Sequence, residues 1–202
     1  MIVGFHVIFG MYGFWLPNDP RGSWSNFVGA WELFRYGKAT KTTEVRSTAA
    51  IEHDQHLRVA AKKALKYPPV LLNGLQARAV GRGFGNYARQ SGLLIWECAI
   101  LPDHAHLVIG RNGHQRNPLI KIEQIVIQLK GSATRQLEEE DLHPQKHLRR
   151  LSGSVPKCFA RGAWKVYLEE ADVPPAIRYV RQNPVKEGKP VQNWSFVTDY
   201  RA

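Results

Sequence analysis

Two apolar runs separated by only two residues constrain this chain more than any other feature. Residues 93–101 (Leu-Leu-Ile-Trp-Glu-Cys-Ala-Ile-Leu) and 104–110 (His-Ala-His-Leu-Val-Ile-Gly) flank Pro102-Asp103. Runs this short, with turn chemistry between them, predict a hairpin with a buried first strand. Residues 5–12 read as another strand, with Phe5, Val7, Phe9 and Met11 on one face. A helix is expected over 51–66, where Leu57, Ala60, Ala61, Ala64 and Leu65 recur at helical spacing before Pro68-Pro69 stops it. A second helix covers 75–90, weakened by Gly81, Gly83 and Gly85. Asn117-Pro118 opens an amphipathic helix with Leu119, Ile122, Val126, Leu129, Ala133 and Leu137 as its apolar stripe. Residues 142–157 form a basic loop and 163–168 a short strand. A last helix runs from about Pro174 to Asn183 and stops at Pro184, because a residue before proline avoids the α region. This order predicts an α+β fold of the ferredoxin-like or RRM-like kind, an antiparallel sheet with helices packed on one face. One domain over 1–202 is expected, carrying a basic, aromatic-rich insertion at about 17–48.

Charge says what such a fold is for. The chain has 202 residues, 28 Lys+Arg against 17 Asp+Glu, and a formal net charge of +11. Hydrophobic residues make up 44%, too many for a disordered chain. Two cysteines, Cys98 and Cys158, exclude a disulfide scaffold and a Cys-based zinc finger and suit a reducing compartment. No apolar run approaches the roughly 20 residues that span a bilayer, and residues 1–16 make a poor signal peptide. A cytoplasmic, nucleoid-associated protein is expected. Residues 21–96 hold 12 Lys/Arg and 4 Asp/Glu, and 144–165 hold six more basic residues and no acid. Eight aromatic residues fall between Tyr12 and Tyr36. Cationic charge interleaved with rings on which bases stack favours single-stranded nucleic acid over an anionic membrane. The acidic run Glu138–Asp141 reads as a solvated helix end.

Two short patterns carry chemistry. In His104-Ala105-His106 on a strand, both imidazoles point to one face and Ala105 to the other. Such a pair can hold one divalent metal. In Tyr179-Val180-Arg181-Gln182-Asn183-Pro184, Tyr179 and Asn183 are four apart on a helix and share a face, while Ile177 and Val180 turn to the sheet. A phenol is a weak nucleophile at neutral pH unless activated, and a metal on a scissile phosphate offsets part of that deficit. Tyr167, near Trp164, is a second candidate nucleophile without an amide partner at that spacing. His6, His114, His143 and His147 show no partner at ligand spacing, and His53 and His56 read as a solvated helix start. Arg82-Gly83-Phe84-Gly85 lacks the strand-to-helix setting of a phosphate loop.

His104-Ala-His106 resembles the HUH motif (His, apolar residue, His) of the single-tyrosine transposases of the insertion-sequence-200-like family. Ile100-Leu-Pro-Asp-His-Ala-His-Leu-Val resembles that family's approach to the motif. Tyr179 through Gly188 looks like the end of its REP-associated branch, where a tyrosine precedes Asn-Pro-Val-Lys. Tyr12-Gly-Phe-Trp-Leu-Pro-Asn-Asp-Pro-Arg-Gly and Leu129-Lys-Gly fit as well. The resemblance implies metal-dependent cleavage and rejoining of single-stranded DNA that carries hairpin, palindromic repeats. Tyr179 would form a 5′-phosphotyrosine, and His104, His106 and Asn183 would hold Mg²⁺ or Mn²⁺. Gln182 is the alternative to Asn183, since other relatives carry a glutamine four residues after the tyrosine. Arg21, Trp24, Lys130, Arg161 and Lys186 would contact DNA, with the protein a monomer or a homodimer. The competing reading is a domesticated binder of single-stranded nucleic acid that does not cleave. A metal-dependent hydrolase of another substrate accounts for the histidines but not for the charge.

Overall fold

The computed structural model describes residues 1–14, 16, 31–37, 54–111 and 120–201. Most of the 17–48 segment, with Arg21 and Trp24, lies outside the described residues, as does the expected helix opening at Asn117-Pro118. Four strands form one antiparallel sheet: β1 (Ile2–Gly10), β2 (Ile95–Ile100), β3 (His104–Gly110) and β4 (Trp164–Glu169), in the order β2-β3-β1-β4. The helices are α1 (Gln55–Lys63), α2 (Gly74–Ser91), α3 (Ile122–Glu139) and α4 (Val173–Lys186). The expected hairpin is β2-β3, and β3, which carries His104 and His106, is a central strand between β2 and β1.

Alternation along the strands sorts the molecule into two faces. On one face Val7, Phe9, Leu107 and Ile109 pack with Phe84 of α2 and Leu129 of α3 in the main core. The expectation of helices on one face holds for α2 and α3. Helix α4 is different: it covers the opposite face, where Val173 and Val180 pack with Ala99, Val108 and Leu168. Each fully buried side chain of this size stabilises by about 1.5–3 kcal/mol, so the smaller layer is enough to seat α4.

The glycines of α2 do not weaken it where it matters. A Cβ on Gly83 would lie 2.5 Å from the Cα of Ala133, and one on Gly81 would lie 2.2 Å from the Trp194 ring. They are contact points at which α3 and an indole come against the helix backbone. Trp194 belongs to a C-terminal strap along the exposed edge of β2. The Gln192 amide accepts from the Ile100 N–H (2.7 Å) and donates to the Ile100 carbonyl (2.8 Å), as a neighbouring strand would. Trp194 Nε1 donates to Cys98 O, and the Thr198 N–H donates to Ile95 O. An otherwise open sheet edge is thereby covered.

Helix α4 does not stop at Pro184. It runs on to Lys186, with Pro184 buried inside it. Pro184 lies one turn beyond Val180 and extends the same buried stripe, and in the last turn a proline removes only one helical bond. The extra turn keeps Lys186 and Glu187 in helical phase with Tyr179 and Asn183. Among the described residues no helix is long and apolar enough to cross a membrane.

Candidate active site

The face of the sheet under α4 carries a cluster of rings. Pairing of β1 with β3 sets Ile8 opposite His106 and Gly10 opposite His104, so the even-numbered positions of both strands share this face. His104 and His106 sit edge to face, with ring centroids 4.9 Å apart. Tyr179 comes down from α4 with its ring 5.8 Å from His106, and the Lys186 ammonium stands 4.7 Å from the phenol ring centroid. Tyr179 is 41% exposed, so the phenol faces both the imidazoles and solvent. The Asn183 amide donates from Nδ2 to the Tyr179 carbonyl (3.2 Å), and its oxygen has no hydrogen-bond partner among the described residues. Gln182 is exposed.

Neighbours hold the two histidines in place. His104 donates from Nδ1 to Asp103 Oδ1 (2.7 Å), and Phe14 stacks on the ring at 5.0 Å. A Cβ on Gly10 would meet Phe14 at 2.6 Å, so only glycine at that strand position lets Phe14 lie there. Behind His106 stands His6: its Nε2 and His106 Nδ1 are 3.1 Å apart, and the rings are stacked at 5.3 Å. His6 also contacts Tyr179 and Trp164 edge-on, at 5.7 and 5.8 Å. Burial pushes His6 down to about 4. Burial first, then the charges of His104, His6 and Lys186, hold His106 well below the ordinary imidazole range. At neutral pH both are neutral, the form in which an imidazole binds a cation.

No family model matches this sequence, and neither does any curated protein. Solved structures similar over nearly the whole chain include the following two. One is a candidate transposase of Deinococcus radiodurans R1, 12% identical, covering 95% of this chain and 94% of that one at a TM-score of 0.39. The other is a REP-associated tyrosine transposase bound to a REP hairpin, 10% identical, covering 99% and 93% at a TM-score of 0.46.

Donor chemistry at the site fits a hard divalent cation better than two imidazoles alone would. One ligand atom each from Asp103, His104 and Glu187 lie within 4.8 Å of one another. Opposite ligands of a six-coordinate Mg²⁺ are about 4 Å apart, so the three atoms would close in slightly around such an ion. The Glu187 carboxylate beside the imidazole offers an oxygen donor of the kind that hard divalent cations prefer.

Of the expected site residues, His104, His106, Tyr179 and Lys186 come together here, and Asn183 lies one helical turn beyond Tyr179 on α4. Arg161 is exposed on the loop after Phe159; within that loop, the Ala160 N–H donates to Gly10 O at the His104 end of β1. Lys130 lies elsewhere. Its ammonium donates to the carbonyls of Ala160 (2.9 Å) and Gly162 (2.5 Å) and stands over the Phe9 ring, on the face away from the imidazoles. Burial lowers it to about 8, and its bonds tie α3 to a loop. Tyr167 pairs with Phe5 and points to that same far face, so it stands apart from the histidines.

Four residues were not foreseen. His6 reads as an unpartnered strand histidine, yet it is out of phase with Phe5, Val7 and Phe9, which already assigns it to the other face. Glu187 is four residues beyond Asn183, a spacing masked by the expectation of a stop at Pro184. Asp103 looks like turn chemistry only, and Phe14 is one of many aromatics in its segment.

Proposed function

We propose that this protein is a metal-dependent single-stranded DNA transposase or nicking endonuclease acting through Tyr179, on DNA that carries hairpin repeats. The observation that carries the reading is the half-exposed Tyr179 held against the neutral, buried His6 and His106 rings and beneath a lysine. The net charge of +11 and the resemblance of the His104-Ala-His106 and Tyr179–Gly188 stretches support the same reading.

In this reading His104 and His106, with the Asn183 amide oxygen and the Glu187 carboxylate, would hold a divalent cation beside the scissile phosphate. When bound, that cation supplies Lewis-acid polarisation of the phosphate. Helix α4 holds the Tyr179 oxygen for in-line attack on phosphorus. The Oη–P bond forms, the P–O3′ bond breaks, the phenolic proton leaves to solvent and the 3′ oxygen takes one up. A 5′-phosphotyrosine and a free 3′-OH result, and attack by a 3′-OH reverses the step and rejoins the strand. Lys186 stands beside the phenol, where it screens negative charge on the attacking oxygen and the phosphate. The Asp103 carboxylate fixes the His104 ring through Nδ1.

The test is an incubation of the protein with Mn²⁺ or Mg²⁺ and labelled single strands containing a hairpin and its flanks. A covalent protein–DNA adduct on denaturing gels is expected, absent in Tyr179→Phe and in chelator. An adduct that persists in Tyr179→Phe overturns the assignment of the nucleophile. Salt-sensitive binding with no adduct under any metal makes the protein a binder rather than an enzyme.

A further inference from the structure

The geometry assigns His6 a role as the positioning residue of the site: it accepts the His106 Nδ1 proton and so leaves His106 Nε2 as the free donor. This rests on the reading of His106 as a metal ligand. His6 Nε2 and His106 Nδ1 are 3.1 Å apart, too close for two lone pairs or two N–H groups to face each other. One of the two nitrogens carries the proton. If His6 donated, a neutral His106 would carry its own proton on Nε2 and have no lone pair for a cation. If His106 donates from Nδ1, its Nε2 is the donor and His6 is the acceptor, protonated on its own Nδ1.

The neighbouring histidine shows the same arrangement. His104 donates from Nδ1 to Asp103 Oδ1 at 2.7 Å. Both imidazoles of the pair then have Nδ1 occupied and Nε2 open, one through a carboxylate and the other through a second imidazole. Outer partners of this kind set the tautomer and the ring orientation of a ligand histidine. His6 is itself fixed, buried on β1 against the edge-on rings of Trp164 and Tyr179. It therefore holds His106 from behind without reaching substrate.

The test uses the full-length, metal-free protein with ¹⁵N-labelled histidine. Two-bond ¹H–¹⁵N correlation, assigned with His106→Gln and His6→Gln, reads the tautomer of each ring directly. His106 is expected as the Nδ1–H tautomer. The Nε2–H tautomer in the wild-type protein overturns the proposal whether or not any metal binds. Mn²⁺ affinity, counted as free ion by electron paramagnetic resonance, is expected to fall about 10- to 100-fold in His6→Leu. Most of it is expected to return in His6→Gln, whose amide oxygen can accept the same proton. Unchanged Mn²⁺ affinity in a folded His6→Leu overturns the positioning role. A wild-type protein that binds no Mn²⁺ overturns the metal reading, and the wild-type tautomer still decides the hydrogen bond. If His6→Leu fails to fold, the wild-type spectrum and His6→Gln remain decisive.

Discussion

Glu187 shows how one residue changes the chemistry open to the site. In the proposed function, two imidazoles and an amide would form a neutral donor set poorly suited to Mg²⁺, and a carboxylate at the end of α4 would correct that. Glu187 also meets the Lys189 ammonium at 3.3 Å, a half-exposed pair of little worth to stability. We expect Glu187→Gln to weaken Mn²⁺ binding by about tenfold or more, read by electron paramagnetic resonance, with little change in melting temperature. Equal affinity in the variant would remove Glu187 from the site. The sequence discloses His104 and His106 because strand alternation places them together whatever else happens. It discloses Tyr179 and Asn183 because helix spacing does the same. His6 was hidden because its partner is 100 residues away and only the register of β1 on β3 joins them.

At the scale of elements, α2 with α3 and α4 with β2 are the packings that decide where the site sits. Gly83 lets α2 approach the Ala133 backbone, so Gly83→Ala should destabilise by about 1–3 kcal/mol through overpacking, measured by denaturant unfolding. Where α4 crosses β2, Glu97 is buried, and its carboxyl is pushed above the ordinary carboxylate range by burial, partly offset by the Cys98 N–H and the Arg181 charge. Such a group binds its proton more tightly folded than unfolded. Its contribution is therefore favourable at acid pH and is lost as pH rises through its folded value. Glu97→Gln, which keeps an acceptor for Cys98, should raise stability at neutral pH and flatten that loss in melts taken across pH. Periodicity foretold the strands and helices of both layers, but not which face each helix would take. That depends on chain direction and on which strand face is already filled, and neither is a local property.

The whole molecule divides its work by face. One side of the sheet carries the large core, and the other carries a thin apolar layer and the ring cluster. Basic charge alone does not mark a DNA path. Lys146, Arg149, Arg150 and Lys165 bond to Asp141, Gly153, Tyr67 and Glu123 respectively, whereas Arg161 is exposed and Lys186 is exposed beside Tyr179. Net charge thus favours a polyanionic partner but cannot say which cations are committed within the protein. For single strands, log K should fall with log salt by about 0.7 per phosphate contact. Arg161→Gln is expected to reduce that slope by about one contact, and Lys130→Met to leave it unchanged, in titrations by fluorescence anisotropy. A shallower slope in Lys130→Met would return Lys130 to the DNA path.

Trp164 closes the ring cluster from β4, edge-on to His6, and this gives the protein a built-in optical reporter. An indole that close to an imidazole senses what happens one ring further on. A paramagnetic ion on His106 would quench it, while a diamagnetic ion would only perturb it. The difference in emission between the protein and its Trp164→Phe variant isolates that signal from the other five tryptophans. Occupancy of the site can then be followed in real time, with neither a label nor a DNA substrate.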